Sequence, residues 1–470
     1  MINTKNTHAK LAGSKVAIIG LGIEGAALCE FLIDKVLSIT VLDKLDPAKI
    51  EEKVDQDLYL KISKVIENER ITKVFGSSYM DSLDEFDIIF RSPSVYFADP
   101  KLLAASASGV KISSQIDLFF DLCPCQIVGV TGTKGKGTTA TLISEILKKA
   151  KSCNVFLAGN IGYPAITLIP EIKSDDIVIL ELSNFQLADL GKSPQVAVVT
   201  NVYVDHLDYH KSTEEYRTAK FNILAHQQEG DIAVLNKKSS FSTDELVSVK
   251  SKIRYFGSDS EDAIVCRDKV ILDPAVRNLE ICGLMEINLF GRHNLENIAA
   301  ATLVADSLGV DAKTISVVVK KFVGLPHRLE LVREINGMKF INDSFATNPE
   351  PTIAAIESFR NNKILILGGS SKGADFHELA NKITSENVKV VVLIGREASR
   401  IKEALLDATY SGTIIDKALD FDAAVQASYD AAKEDDVIIF SPACASFDMF
   451  KNYKDRGDKF KAAVLNLPKK

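Results

Sequence analysis

The chain has 470 residues, 46% hydrophobic and 25% charged, with a formal net charge of −7. At about 150 residues per domain this implies about three domains with cores of normal size, and it argues against disorder. No long basic block appears, which excludes nucleic acid or an anionic membrane as the main partner. The seven cysteines are scattered, odd in number and without a C-x-x-C pair; reduced, mostly buried thiols in a cytoplasmic protein are expected. The start, MINTKNTHAK, has no apolar signal region. Residues 153–170 are uncharged, but their glycines, asparagines and prolines rule against a membrane span.

A first strand is predicted at Lys15 to Ile19. It runs into Gly20-Leu21-Gly22-Ile23-Glu24-Gly25 and a helix reaching about Lys35; a second strand, Ser38 to Leu42, ends at Asp43. This is G-x-G-x-x-G with an acid further on, the pattern of a dinucleotide site. The same glycines can serve another diphosphate, such as that of a nucleotide sugar, with Asp43 on a ribose or base. Strands at Lys73 to Phe75 and Asp87 to Phe90 follow, the latter ending in Arg91-Ser92-Pro93-Ser94.

The second unit opens with IVGVTGTKGKGTTATL, Ile127 to Leu142. A buried strand, a glycine-rich turn and a helix beginning near Thr138 form a phosphate cradle: Gly132, Gly135 and Gly137 admit close backbone, and Lys136 supplies charge. The strict G-x-x-x-x-G-K-[ST] spacing is not met, and Thr138 or Thr139 would have to supply the metal-side hydroxyl. Strand Asp176 to Leu182 delivers Glu181 and Ser183 at its end. A carboxylate there suits Mg²⁺ on ATP phosphates, or is a solvated strand-end acid. After strand Gln195 to Thr200 come Asp205, His206, Asp208 and His210 in close succession, where His206 is a metal ligand or part of a surface loop. Lys220 sits among apolar neighbours on a predicted helix, Tyr216 to Leu224; it is either reactive or a snorkelling surface lysine. Asn294 and Asn297 share a helix face and read a purine edge, or Asn294 caps the helix. Further strands are predicted at Asp231 to Leu235 and Arg254 to Phe256. From about Leu325 a third α/β unit carries strands Met338 to Asn342, Lys363 to Leu367, Val388 to Ile394 and Asp436 to Phe440.

Eight segments in this order resemble one family, the Mur ligases of peptidoglycan synthesis: TGTKGKGTT, AGNIGYP, ELSNFQL, NVYVDHLDYH with YRTAK, GRHNLEN with GLPHRLE, INDSFATNP, LILGGSSKGADF and SPACASFDMFKNYKDRG. The last three are most similar to the members that add D-glutamate to UDP-N-acetylmuramoyl-L-alanine. The resemblance implies three α/β domains: an N-terminal Rossmann-like UDP-sugar-binding unit (1–121), a central P-loop ATPase with a mostly parallel sheet (122–324) and a C-terminal Rossmann-like unit that binds the amino acid (325–470). It implies a cytoplasmic monomer that forms an amide through an acyl phosphate, using ATP and Mg²⁺, two ions, with N6-carboxylysine at Lys220.

Catalytic roles then fall to Lys136, Glu181, His206 and Lys220, with Thr138, Glu181, His206 and the modified Lys220 on the metal. ATP is assigned to Gly132, Thr133, Lys134, Gly135, Lys136, Gly137, Thr138, Thr139, Asn297, Arg328 and Asp343. The UDP substrate is assigned to Gly22, Ile23, Glu24, Asp43, Lys44, Ser92, Ser94, Asn160 and Ser183, and D-glutamate to Thr347, Lys372, Ser446 and Tyr453. The chain departs from the family pattern at Gly137, where a hydroxyl is usual, and at Phe345, where lysine is common. Ala158, Asn184 and Ser94 replace a glycine, a serine and a glycine. Folylpolyglutamate synthetases share the central ATPase, so a folate-type ligase, another Mur-type ligase or a non-catalytic relative are the alternatives.

Overall fold

The computed structural model describes residues 4–51, 54, 56–203, 209–238, 241–371, 373–416, 418 and 420–468. His206 and Lys372 lie outside the described residues. The chain divides into two compact units, residues 1–285 with 295–320, and 286–294 with 321–470.

The first unit contains two sheets. In one, β1 (Lys15–Ile19), β2 (Ser38–Asp43), β3 (Ile71–Phe75), β4 (Ile88–Arg91) and β5 (Lys111–Ser113) are all parallel in the order β3-β2-β1-β4-β5. The other has nine strands: β6 (Gln126–Thr131), β7 (Val155–Gly159), β8 (Ile177–Glu181), β9 (Val196–Val199), β10 (Ile232–Asn236), β11 (Lys252–Gly257), β12 (Ala263–Cys266), β13 (Lys269–Leu272) and β14 (Leu279–Gly283). Their order is β14-β13-β12-β11-β10-β9-β6-β8-β7. Strand β8, IVILE, is buried at every residue, as a parallel strand covered on both faces must be; this is why it reads as an unbroken apolar run. Because β6, β8, β9 and β7 run parallel, the turns after them gather at one edge, where α/β sheets bind ligands.

The sheet is mostly parallel, as expected, and its outer end is the exception. β12, β13 and β14 form an antiparallel extension. Arg267 and Asp268 join β12 to β13, both with positive φ (48° and 61°), the geometry of a two-residue hairpin turn.

The second unit has one sheet of β15 (Glu330–Ile335), β16 (Met338–Asn342), β17 (Lys363–Gly368), β18 (Val388–Ile394), β19 (Thr413–Ile415) and β20 (Val437–Phe440), ordered β15-β16-β20-β17-β18-β19. Only β15 is antiparallel to its neighbour. Among the described residues no helix is long and apolar enough to cross a membrane.

Candidate active site

The phosphate loop lies between β6 and the helix Lys136–Ala150. The helix starts at Lys136, earlier than expected, because Gly135 takes φ 85° and turns the chain directly into the first turn. That leaves the opening backbone N–H groups of the helix without partners inside it, a natural cradle for an anion. The end of β9 clamps the loop from below. The Asn201 carbonyl accepts the Thr133 N–H (2.8 Å), Asn201 Oδ1 accepts the Lys134 N–H (2.8 Å), and Thr200 Oγ1 lies 2.6 Å from the Lys134 carbonyl. The fit is tight: a Cβ on Gly132 would stand 1.9 Å from Thr200 Oγ1, and one on Gly135 would stand 2.2 Å from Asn297 Oδ1. Gly132→Ala, at φ 141°, is therefore expected to cost about 1–3 kcal/mol of stability and to abolish nucleotide binding. Denaturant unfolding and a nucleotide titration check the two parts separately.

Two lysines converge on this loop. Lys136 Nζ donates to the Gly132 carbonyl (2.8 Å) and the Thr133 carbonyl (3.1 Å), while Lys220 Nζ donates to the same Gly132 carbonyl (2.9 Å). Lys220 comes from the helix Thr213–Ala225, is 1% exposed, and has its ammonium 4.7 Å from the Tyr216 ring centre. Tyr216 Oη in turn lies 2.9 Å from Thr133 Oγ1. Of the two candidate threonines, Thr139 is fully buried and hydrogen-bonds to Asn297 Oδ1 at 3.4 Å; Thr138 is half-buried. Glu181, buried at the end of β8, accepts from Asn160 Nδ2 at 3.1 Å. Among the described residues no three His, Cys, Asp or Glu side chains form a ready cation cage. The buried Glu181 carboxylate is the kind of single oxygen donor that, together with phosphates and water, ordinarily holds magnesium.

The first sheet brings its own turns to this unit. Asp43 spans its glycine turn, accepting the Leu21 N–H on Oδ2 (2.7 Å) and the Leu45 N–H on Oδ1 (2.8 Å). Glu24 accepts from Gln186 Nε2 at 2.7 Å. Burial pushes its carboxyl above the ordinary range, against the lowering effects of Gln186 and Arg91. Ser183 caps the short helix Asn184–Leu187 in a capping box with Gln186. Ser92 and Ser94 lie 3.1 Å apart through their hydroxyls. Sequence reasoning missed what secures this turn: Arg91, fully buried, grips Asp189 with two hydrogen bonds (2.6 and 2.9 Å) and also donates to the carbonyl of Val95.

In the second unit, Arg328 and Asp343 belong to one cluster. The Arg328 guanidinium lies 3.7 Å from the ring centre of Phe345, the residue that departs from the family pattern. Phe345 also meets Tyr453 edge-on at 5.0 Å. Positive φ at His327 (63°) and Leu329 (45°) pinches the backbone on both sides of Arg328, a strain expected of functional loops. Thr347 is half-buried on the same loop, and Ser446 is buried in the turn after β20. Arg456, also missed, ties these loops together: it donates to Ser344 Oγ (3.0 Å), the Ser344 carbonyl (2.8 Å) and the Cys444 carbonyl (2.9 Å).

Asp343 accepts from Ser441 Oγ (2.7 Å) and the Leu329 N–H (3.2 Å). Burial nevertheless pushes its carboxyl from the ordinary 3.8 up to about 7, against the lowering effects of Ser441, Leu329 and Arg328. A carboxyl that binds its proton more tightly in the folded chain favours folding below 3.8, and that contribution is lost as pH rises through about 7. Asp343→Asn should flatten this part of the stability-against-pH curve, read by thermal melting in a buffer series.

Three family models cover most of the chain: a Mur ligase MurD-like N-terminal domain over residues 14–114, a Mur ligase middle domain over 130–305, and a Mur ligase glutamate ligase domain over 327–444. The chain belongs to the Mur ligase family. It is 40% identical to the UDP-N-acetylmuramoylalanine–D-glutamate ligase of Acetivibrio thermocellus, over 99% of this chain and 100% of that one. It is 37% identical to the enzyme of the same name from Clostridium tetani, over 96% and 97%. Among solved structures it resembles the UDP-N-acetylmuramate–alanine ligase of Thermotoga maritima (TM-score 0.56, 19% identity, 96% and 99% covered). It also resembles the MurF ligase of that organism in complex with ADP (TM-score 0.54, 19% identity, 99% and 97% covered). At such identities the structural likeness speaks to the fold, and the fold is the three-domain α/β architecture of Mur ligases.

Proposed function

We propose that this Mur ligase uses ATP to join the amine of D-glutamate to the L-alanine carboxylate of UDP-N-acetylmuramoyl-L-alanine, a step of peptidoglycan precursor synthesis. The observation that carries the reading is the identity, over nearly the whole of both chains, with relatives named for that reaction. The γ-phosphoryl group passes to the carboxylate, giving an acyl phosphate and ADP. The glutamate amine attacks the acyl carbon, loses a proton and expels phosphate. Such chemistry needs positioning and charge neutralisation more than covalent help from the protein.

In this reading the loop N–H groups and Lys136 hold the phosphates, Asn297 meets the base, and Arg328 and Asp343 approach the nucleotide. Magnesium, two ions, would neutralise phosphate charge when bound; Glu181, Thr138, His206 and a carboxylated Lys220 are its candidate holders. The geometry at Gly132 supports that modification. Two ammonium groups sharing one carbonyl repel each other. Loss of one proton from the Lys220 ammonium, then addition of carbon dioxide to the amine with release of a second, replaces a like charge by an opposite one beside Lys136. The turns carrying Gly22, Asp43, Ser92 and Ser94 take the nucleotide sugar, and Thr347, Lys372, Ser446 and Tyr453 take D-glutamate. Seven free thiols fit a cytoplasmic setting, and one chain carries every assigned residue, as a monomer requires.

The test is an acceptor panel scored by ADP release. Release is expected only with UDP-N-acetylmuramoyl-L-alanine and D-glutamate together; release with a folate and glutamate, and none with the muramoyl nucleotide, would overturn the reading.

A further inference from the structure

One partly buried run of side chains in the first unit, Tyr96, Glu215 and His210, is used by none of the assignments above. It begins at Tyr96, just after the Ser92–Ser94 turn. Tyr96 Oη donates to Glu215 Oε2 at 2.8 Å, and Glu215 Oε1 lies 3.1 Å from His210 Nδ1. On the far side of the ring, His210 Nε2 lies 2.8 Å from Asn184 Nδ2. The amide donates there, so Nε2 accepts, and Nδ1 carries the proton given to Glu215. The His210 ring, fully buried, packs edge-on against Tyr216 at 5.5 Å. Tyr216 then reaches the phosphate loop through Thr133 and faces the Lys220 ammonium. A second thread runs beside the first: Tyr209 Oη donates to the Val95 carbonyl (3.0 Å), which also accepts from Arg91.

We propose that Tyr96, Glu215 and His210 are positioning residues that couple the nucleotide-sugar turn of the first domain to the phosphate loop. The inference rests on the assignment of Ser92 and Ser94 to the nucleotide sugar. The two ends of the path are far apart in sequence yet joined by three side chains, Glu215, His210 and Tyr216. A ligand that settles the turn fixes Tyr96, hence Glu215 and the tilt of His210, and so the ring that supports Thr133 and Lys220. Each ligand thereby meets a site already ordered by the other, and the effect is reciprocal.

The experiment measures the affinity of a non-hydrolysable ATP analogue by calorimetry, without and with saturating UDP-N-acetylmuramoyl-L-alanine. The wild-type protein is expected to bind the analogue about fivefold or more tightly when the nucleotide sugar is present. Tyr96→Phe and Glu215→Gln are expected to reduce that ratio to below about twofold, while the analogue alone binds within about twofold of wild type. A purely structural role would shift melting temperature and leave the ratio intact. An unchanged ratio in Tyr96→Phe, which removes one oxygen from a half-buried ring, overturns the proposal even if Glu215→Gln fails to fold. A wild-type ratio of one overturns it as well. A wild-type protein that binds no nucleotide sugar overturns the functional reading and this proposal together, whereas binding with unchanged coupling overturns this proposal alone.

Discussion

Lys220→Ala is expected to lower the rate of ADP formation by at least about 100-fold, and small carboxylates such as acetate are expected to restore a measurable part of it. The size follows from what a charged group pre-positioned at a phosphoryl-transfer site ordinarily contributes, about 10²–10³ in rate. The rescue follows from the proposed modification. A carbamate is an oxygen donor, and a free carboxylate can enter the space left by an alanine. The variant should fold, because the Gly132 carbonyl keeps its bond from Lys136 and the loop keeps its clamps at Thr200 and Asn201. Full activity in the variant, with no response to carboxylates, would show that Lys220 acts only as a buried structural amine.

Lys136→Ala is expected to be the more severe change, reducing product formation by about 10³-fold or more at saturating ATP. Its ammonium is folded back on the Gly132 and Thr133 carbonyls, beside the start of the helix it opens. Nothing else on the loop supplies a formal positive charge from the helix start; Lys134 is exposed and its backbone is what the clamp holds. Arginine should not substitute, since its planar fork does not reproduce a compact charge on a four-carbon stem. Single-turnover measurements separate binding from transfer. Product formation within about tenfold of wild type would remove Lys136 from the phosphate role.

How much of this was legible in the chain depended on the range of the interaction. Strands such as IVILE and KILILG announced themselves because both faces are buried. The β12–β14 hairpins did not, because the turn at Arg267-Asp268 takes positive φ without the glycine or asparagine that usually signals it. The phosphate loop was readable in its glycines and lysine, but its helix begins at Lys136 because Gly135, already flagged for close approach, also makes the turn. The clamp at Thr200 and Asn201 looked like an ordinary strand end. Arg91 with Asp189, and Tyr96 with Glu215, are partners about a hundred residues apart; nothing local in a single sequence marks either pair. Phe345 was visible only as a departure. The structure gives it a positive task, as the ring against which the Arg328 guanidinium rests. Phe345→Ala is accordingly expected to raise the KM for ATP several-fold through a loosened Arg328, by about the 0.5–2 kcal/mol of a cation–π contact.

In the proposed reaction the L-alanine carboxylate is phosphorylated before the amide forms. That order is tested most directly with UDP-N-acetylmuramoyl-L-alanine carrying ¹⁸O in that carboxylate, incubated with the protein, ATP and D-glutamate. Mass analysis of the released phosphate should find one ¹⁸O atom per molecule, in step with the formation of a glutamyl amide. Phosphate free of label, alongside that same amide, would contradict an acyl-phosphate route.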